Sequence, residues 1–307
     1  MADCYFCKSN AKIFVLSKFM KILVLGSDGQ LGSAFKDLSK NYNNINFIFL
    51  SQKKINYLNY YILRNFITKE KNVDLIINCC AFTNVNDATK QYKKALIVNY
   101  LFVIKLSKIC KYYKIDLVHY STDYVFDGKN KIPYKENSKT NPLNVYGLTK
   151  LKADNFLLKQ KFKALIIRTS WVFSYSPRSF VGKIIKISKI NKCINVVDDQ
   201  VGCPTYAADL ASTTIKIILH KKFISLKKTL LVNFCNKGSV SWYDFAKKIL
   251  NIKKINCSVM SIQSNTLKNS TIRPNYSVLE TSKIEKYFKI RIRTTKVAIK
   301  ECLQNQK

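Results

Sequence analysis

The sequence predicts an α/β fold in which helices cover both faces of a doubly wound parallel sheet. Short continuous apolar runs recur along the first half, separated by stretches whose apolar residues have helical spacing. Such alternation is typical of parallel sheets whose strands are buried on both faces. A glycine-rich turn follows the first run directly, as in Rossmann-type folds. The predicted strands are 21–25, 46–50, 74–79, 117–120 and 164–168.

The segments between these strands are predicted to be helices because apolar residues recur every three or four positions. Residues 92–113 are the longest example, with Leu96, Leu101 and Ile104 among their regularly spaced apolar residues. The other predicted helices run from the glycine turn to Leu38, over 58–67 and over 148–158.

The second half has a looser pattern, with a turn-rich stretch over 196–205 and helices predicted over 206–219 and 242–250. No repeat or low-complexity linker separates the halves, so we expect a smaller, partly discontinuous C-terminal domain that grows out of the sheet. The predicted domains are a nucleotide-binding Rossmann domain and a substrate domain, preceded by an N-terminal extension. Their expected boundaries are 1–19 for the extension, 20–172 with 206–235 for the first domain, and 173–205 with 236–307 for the second.

The composition excludes several classes of protein. The chain has 307 residues, of which 47% are hydrophobic, and only 8 Gly and 5 Pro, which excludes collagen, disorder and small disulfide scaffolds. Its apolar runs fall far short of the roughly 20 residues of a membrane-spanning helix. The formal charge of +35 first suggests nucleic acid. The basic residues are scattered and mostly lysine, however, so we interpret them as solvated surface lysines and expect no nucleic-acid partner.

The ten cysteines indicate a reducing compartment, and we expect a cytoplasmic protein. Cys79, Cys80 and Cys110 lie among apolar residues and are interpreted as small buried hydrophobes. Only Cys4 and Cys7 have the spacing of metal ligands, and no second pair completes a zinc site. They fall in the first 19 residues, an extension with neither a signal-peptide pattern nor a recognisable role.

The turn after the first strand is a candidate nucleotide-binding site. Gly26, Gly29 and Gly32 lie between a predicted strand and a predicted helix. Glycine lets the backbone turn sharply and approach a pyrophosphate, and the helix N-terminus offers free N–H groups. The second strand is followed by Ser51, a glutamine and two lysines, without the carboxylate that binds the ribose 2′-hydroxyl of NAD. This favours NADPH, with NADH as the alternative.

A second candidate constellation is Tyr146 and Lys150, four residues apart, with Thr122 at the end of an upstream strand. On a helix this spacing places both side chains on one face. A cation beside a phenol stabilises the phenolate, lowers its pKa and prepares it for proton exchange near neutral pH. The Thr122 hydroxyl could hydrogen-bond the same phenol.

With these residues the chain resembles the dTDP-4-dehydrorhamnose reductase family of extended short-chain dehydrogenases/reductases. The most specific matching segments are YSTDYVFDG at 120–128, PLNVYGLTK at 142–150 and DQVGCPTY at 199–206. Other matches bring the resemblance to nearly everything from Met20 to about residue 288.

The resemblance implies reduction of the 4-keto group of dTDP-4-dehydro-L-rhamnose to dTDP-L-rhamnose. Tyr146 would protonate the ketone oxygen, Lys150 would hold the nicotinamide ribose and lower the tyrosine pKa, and Thr122 would tune that tyrosine. The implied cofactor-binding residues are Gly26, Gly29, Gln30, Leu31, Gly32, Ser51, Cys80, Ala81, Phe82, Asn99, Tyr146 and Lys150. The implied substrate-binding residues are Thr122, Asp123, Tyr124, Trp171 and Arg273.

Some questions stay open at this point. For Trp171 and Phe82 simple core packing is the alternative interpretation. Relatives that bind a metal between subunits carry a glutamate where this chain has Ala34, so we expect no metal site. The chain could be a monomer or a homodimer. Two alternative functions remain, a non-catalytic NADP-binding regulatory subunit like that of methionine adenosyltransferase and a related 4-keto sugar-nucleotide reductase.

Overall fold

A computed structural model describes residues 19–267 and 270–304 of the chain. The predicted extension up to residue 18, with Cys4 and Cys7, lies outside the described residues. The first half alternates strands and helices, in chain order β1 (Met20–Leu25), α1 (Gln30–Ser39), β2 (Ile45–Leu50), α2 (Tyr60–Glu70), β3 (Leu75–Asn78), α3 (Val85–Lys90), α4 (Tyr92–Leu96), α5 (Phe102–Tyr113), β4 (Asp116–Thr122), α6 (Val145–Leu158) and β5 (Ala164–Thr169).

The second half has shorter elements and only one further strand of the main sheet. They are, in chain order, β6 (Val172–Phe173), α7 (Phe180–Ser188), β7 (Cys193–Val197), β8 (Val201–Gly202), β9 (Thr205–Tyr206), α8 (Ala207–Ile218), α9 (Lys221–Ile224), β10 (Leu230–Asn233), β11 (Val240–Ser241), α10 (Trp242–Lys253), β12 (Ser258–Ile262), α11 (Ser282–Phe288) and α12 (Thr295–Gln304).

The central sheet has six parallel strands in the order β10-β5-β4-β3-β1-β2. The predicted doubly wound α/β fold is therefore confirmed. The strand order reverses at β1, which leaves a crevice outside the carboxyl ends of β1 and β3, where such sheets bind ligands. None of the helices in the described residues is both long and apolar enough to span a membrane.

Both faces of the sheet are buried, which explains why its strands are continuous apolar runs. In β1, Ile22 and Val24 pack into one core and Leu23 and Leu25 into the other, because successive side chains of a strand point to opposite faces. One core includes residues of α1, α8 and α11, and the other includes residues of α2, α5 and α6. Residues 207–218 and 230–233 thus pack on the sheet or extend it.

A third core lies in the second half, away from the sheet. It joins α7, α10 and α12 with β7, around Phe173, Phe245 and Ile299. This lobe pairs β7 with β12 in parallel and β8 with β11 antiparallel. The division of the chain into two domains at the predicted boundaries stays a prediction.

The predicted helix over 92–113 is interrupted in the structure. Residues Ile97–Leu101 form a π-helical turn between α4 and α5. Such a turn widens the helix by one residue and occurs often at functional sites. It contains Asn99, a buried residue whose side chain reaches Phe82 in the loop after β3.

Candidate active site

The glycine turn joins β1 to α1 at the switch point of the sheet. Gly26 has a φ of +78°, in the left-handed region that favours glycine, and its N–H donates to the Leu50 carbonyl at 3.0 Å. A Cβ on Gly32 would lie 2.4 Å from the Gly26 carbonyl oxygen, so only glycine allows α1 to start this close to β1. The turn therefore presents bare backbone beside a helix N-terminus, which suits a pyrophosphate.

Gln30 and Leu31 lie in the first turn of α1. The Gln30 amide faces the second half of the chain, because it accepts from the Ser174 hydroxyl at 2.8 Å and donates to the Val172 carbonyl at 3.4 Å. Leu31 is half-buried and packs against the sheet core. These contacts fix α1 between the sheet and the segment that follows β5.

The end of β2 differs in one respect from the sequence prediction. Ser51 is buried there, and Lys53 and Lys54 are exposed. The structure also brings a carboxylate to this edge, since Asp28 of the glycine turn hydrogen-bonds Ser51 and lies 3.3 Å from the Lys36 ammonium. The sequence around residue 51 does not indicate this carboxylate, because Asp28 comes from another loop.

The loop after β3 forms the opposite wall of the crevice. Cys80 is buried, and Ala81 and Phe82 are half-buried. Asn99 holds this loop, since its Oδ1 accepts from the Phe82 N–H at 2.8 Å and its Nδ2 donates to the Phe82 carbonyl and to the Thr149 hydroxyl. The Asn99 side chain is fully buried with both amide hydrogens used, so it supports the loop, and its contact with a cofactor stays a prediction.

Tyr146 lies in the first turn of α6, beside the end of β4. The helix begins at Val145 because the Asn144 side chain accepts from the Gly147 N–H at 2.9 Å. The phenol of Tyr146 lies close enough to the hydroxyl of Thr122, the last residue of β4, to be influenced by it, and its ring meets the Tyr124 ring edge-on with centroids 5.9 Å apart. The structure therefore brings Thr122 and Tyr146 together as the sequence suggested.

The pKa of Tyr146 differs from the expectation. Desolvation raises it to about 12, the Thr122 hydrogen bond lowers it in part, and the nearby Asp123 raises it further. Lys150 is buried and directs its Nζ to the Tyr120 carbonyl and the His119 ring instead. The prediction that Lys150 lowers the pKa of Tyr146 is therefore wrong for this structure.

Asp123, Tyr124 and Arg273 meet beside the Tyr146 phenol. Asp123 accepts from the Thr122 hydroxyl at 3.1 Å and also hydrogen-bonds Ser277, while Arg273 hydrogen-bonds the Tyr124 hydroxyl. Among the described residues, Asp123 Oδ2 and Arg273 Nε are buried polar atoms without a hydrogen-bond partner. Such atoms are costly in a folded protein and are typical of groups that await a polar ligand.

Burial raises the pKa of Asp123 to about 7, although the Ser277 and Thr122 hydrogen bonds oppose this. Its folded-state pKa then exceeds the unfolded value of about 3.9, so the stability that it contributes is lost as pH rises through about 7. We expect the Asp123→Asn variant to gain stability relative to the wild type as pH rises from about 4 to about 7, by up to about 1.4 kcal/mol per unit. Urea unfolding at several pH values measures this difference, and a pH-independent difference would contradict it.

Trp171 follows β5 and packs against the second lobe. Its ring stacks on Trp242 with centroids 3.5 Å apart and an interplanar angle of 3°, and its φ is +46°. A non-glycine residue in the left-handed region is strained, which is common where a side chain is aimed at a site. The stack joins the sheet domain to the lobe and supports core packing, but Trp171 remains half-buried and is still available to a ligand.

These groups lie at the carboxyl ends of neighbouring parallel strands, around one crevice. A family model described as the RmlD substrate binding domain matches residues 20–307. The chain belongs to this family. The resemblance inferred from the sequence is therefore confirmed.

Individual relatives agree with this membership over most of the chain. A dTDP-4-dehydrorhamnose reductase of Aggregatibacter actinomycetemcomitans is 32% identical over 88% of this chain and 94% of its own. The crystal structure of a dTDP-4-dehydrorhamnose reductase from Clostridium acetobutylicum is similar with a TM-score of 0.85 and 32% identity, over 93% of this chain and 99% of its own. The enzyme of that name from Bacillus anthracis, in complex with NADP, has a TM-score of 0.85 and 26% identity, over 94% and 99%.

The structure adds residues to the candidate site that the sequence does not indicate. Ser277 hydrogen-bonds Asp123 from the loop that contains Arg273, and Asn144 donates to the Ile272 carbonyl at 3.0 Å, which holds that loop against α6. The resemblance implies Arg273, but Ser277, four residues further along, matches no motif that indicates a role. His119, which contacts Lys150, was passed over as part of a strand.

Proposed function

We propose that this protein reduces the 4-keto group of dTDP-4-dehydro-L-rhamnose to dTDP-L-rhamnose with NADPH. The observation that supports this best is the close approach of Thr122 and Tyr146 at the carboxyl end of β4, with the unpartnered polar atoms of Asp123 and Arg273 next to it. The named reductases among the relatives, one of them in complex with NADP, support the same substrate and cofactor.

The residues of the crevice fit a dinucleotide. The Gly26–Gly32 turn would hold the pyrophosphate against the N-terminus of α1, and Ser51 with the exposed Lys53 and Lys54 would face the adenosine ribose. The loop of Cys80, Ala81 and Phe82 would cover the cofactor, with Tyr146 and Lys150 at the nicotinamide end. NADPH, when bound there, supplies the hydride that reduces the ketone.

The turn gives a direct test of cofactor binding. In Gly32→Ala the new Cβ would meet the Gly26 carbonyl at 2.4 Å, whereas in Gly29→Ala the nearest atom is 3.3 Å away. We expect Gly32→Ala to weaken NADPH binding at least about tenfold, because α1 must move away from the turn that holds the pyrophosphate. Gly29→Ala is expected to weaken binding less. Fluorescence titration with NADPH measures both dissociation constants, and equal constants for the two variants would count against the assignment.

In the proposed reaction Tyr146 gives its phenolic proton to the ketone oxygen as that oxygen gains electron density. A raised phenol pKa keeps the proton on Tyr146 in the resting enzyme. The Thr122 hydroxyl, which donates to Asp123 in the structure, would turn its hydrogen to the phenolate that remains and stabilise it. Thr122 is buried and Tyr146 is half-buried, so a bound substrate would cover the phenol and exclude water, which strengthens these interactions. The proton therefore goes to the substrate and not to solvent.

The nucleotide sugar would lie between the sheet and the second lobe. The Arg273 guanidinium brings a positive charge to the mouth of the site and suits a diphosphate. Asp123 and Tyr124 offer polar groups to the sugar, and the half-buried face of Trp171 offers an apolar surface to a sugar or base. The substrate-binding roles of Arg273, Asp123, Tyr124 and Trp171 are thus part of the proposal and depend on the proposed substrate.

The proposal is tested by following NADPH oxidation with dTDP-4-dehydro-L-rhamnose and identifying the product by NMR. We expect turnover to dTDP-L-rhamnose, and a lower kcat/KM when UDP replaces dTDP in the same sugar nucleotide. NADPH binding without turnover would overturn the proposal in favour of a regulatory subunit. A product with the opposite configuration at C4 would overturn the assigned product.

A further inference from the structure

Three buried polar residues form a cluster beneath Tyr146, and two of them, Asn78 and His119, have no part in the proposed function. Asn78 of β3 and His119 of β4 are direct neighbours across the parallel sheet. Lys150 of α6 lies against His119. The three residues are 1%, 0% and 2% exposed, so water cannot satisfy their polar atoms.

A continuous chain of hydrogen bonds connects these residues. The Cys80 N–H donates to Asn78 Oδ1 at 3.1 Å, and Asn78 Nδ2 lies 3.1 Å from His119 Nδ1. On the other side of the imidazole, His119 Nε2 lies 3.3 Å from Lys150 Nζ, which also donates to the Tyr120 carbonyl. Each imidazole nitrogen therefore faces a nitrogen that carries hydrogen.

The direction of these bonds is set by the backbone. The Cys80 N–H can only donate, so the oxygen of the Asn78 amide faces it and the NH₂ group faces His119. His119 Nδ1 must then accept, and a neutral imidazole with an accepting Nδ1 carries its hydrogen on Nε2. That hydrogen points at Lys150, whose nitrogen can accept it only as a neutral amine.

We propose that His119, oriented by Asn78, is a positioning residue that holds the Lys150 side chain against β4 and favours its neutral form. The inference rests on the proposed function in so far as Lys150 belongs to the active site. It adds that the charge on Lys150, and not only its presence, is controlled by the two strands beneath it. If Lys150 were protonated, its ammonium could not accept the Nε2 hydrogen of His119 and would have to turn away from it.

The other groups around Lys150 have opposing effects on its pKa. Burial lowers its pKa to about 8, while the Asp154 carboxylate on the same helix and the Cys80 thiol after β3 raise it. The Asp154 charge is largely engaged, since it forms an ion pair with Arg168 at 3.0 Å and accepts from the Ser121 hydroxyl. His119 is buried without an acid partner, and its pKa is lowered well below the usual value by desolvation and by Lys150.

The first test needs neither a variant nor catalysis. The chain has only two histidines, so ¹⁵N NMR of histidine-labelled protein resolves His119 from His220. We expect His119 to be neutral and protonated on Nε2 from about pH 6 to 8, as its place in the chain requires. A His119 that is protonated on Nδ1, or on both nitrogens, overturns the proposal.

The second test reverses the interaction with Lys150. In His119→Gln the amide can turn its oxygen to the ammonium, which stabilises the charged form. We expect the pKa of Lys150 to rise by about one unit or more, read from the ¹³Cε signal of lysine-labelled protein and assigned by its loss in Lys150→Arg. His220→Gln, which changes the other histidine just before the distant α9, is expected to leave this titration unchanged.

The two proposals fail in different ways. If the Lys150 titration is the same in wild type and His119→Gln, the role of His119 is wrong whatever the enzyme reduces. If the titration shifts but no dTDP-sugar is reduced, the proposed function is wrong and the control of Lys150 stands. In an active enzyme, the basic limb of the pH profile of kcat should shift in His119→Gln together with the pKa of Lys150. Loss of packing alone does not produce such a shift.

Discussion

Tyr146→Phe is expected to lower kcat for reduction of the 4-keto sugar by about 10² to 10⁴-fold, because the phenolic proton is the acid for the ketone oxygen. The change removes one oxygen from a ring that packs edge-on against Tyr124 and keeps the ring itself. The Thr122 hydroxyl loses a partner but still donates to Asp123 at 3.1 Å. Binding of NADPH should therefore change little, and the loss should fall on the chemical step.

Single-turnover kinetics with pre-bound NADPH separate that step from cofactor binding and product release. The matched control is Tyr61→Phe, since Tyr61 lies on α2 with 70% of its surface exposed and no place in the crevice. Equal single-turnover rates for wild type and Tyr146→Phe would remove Tyr146 as the acid. Loss of NADPH binding in the variant would instead assign the tyrosine to the cofactor site.

Asp154→Asn is expected to lower the free energy of unfolding by about 3 to 5 kcal/mol, because it leaves a buried arginine without its counter-ion. Asp154 and Arg168 are 0% and 3% exposed at the side chain, and Arg168 Nε donates to Asp154 Oδ2 at 3.0 Å. The guanidinium also donates to the Glu136 carbonyl and lies over the Phe126 ring. An amide in place of the carboxylate keeps the shape but not the charge.

Urea unfolding of the two proteins at pH 7 measures this effect. Asp37→Asn removes the acid of an exposed pair with Lys40, and we expect a change of less than about 0.5 kcal/mol there. The double variant Asp154→Leu with Arg168→Met should regain much of the loss, since replacing both charges by apolar residues removes the unpaired ion. A small effect of Asp154→Asn would mean that water or another group satisfies Arg168.

The fold class and most of the strands could be predicted because each depends on local sequence. A strand buried on both faces must be continuously apolar, as in Ile22–Leu25, and a sharp turn before a helix needs glycine at positions such as Gly26. The prediction that Thr122 meets Tyr146 followed in the same way, from a helix that returns to the end of a neighbouring strand. Their roles in catalysis stay predictions.

Other features of the site depend on contacts between distant segments. The π-helical turn was invisible in the periodicity of 92–113, yet it brings Asn99 under the Phe82 loop 17 residues away. The pKa of Tyr146 was expected to fall because Lys150 lies one helical turn on. In the structure the lysine side chain turns to β4, and desolvation raises the pKa instead.

By itself the sequence determined a doubly wound parallel sheet, a glycine turn after its first strand and a tyrosine–lysine pair on one helix. These follow from spacing along the chain, which sets which side chains share a face. Only the tertiary structure decided how the lysine is held, because Asn78 and His119 are 41 residues apart and become neighbours through strand pairing. The direction of their hydrogen bonds, and with it the proposed charge of Lys150, depends on a backbone N–H that no residue pattern displays.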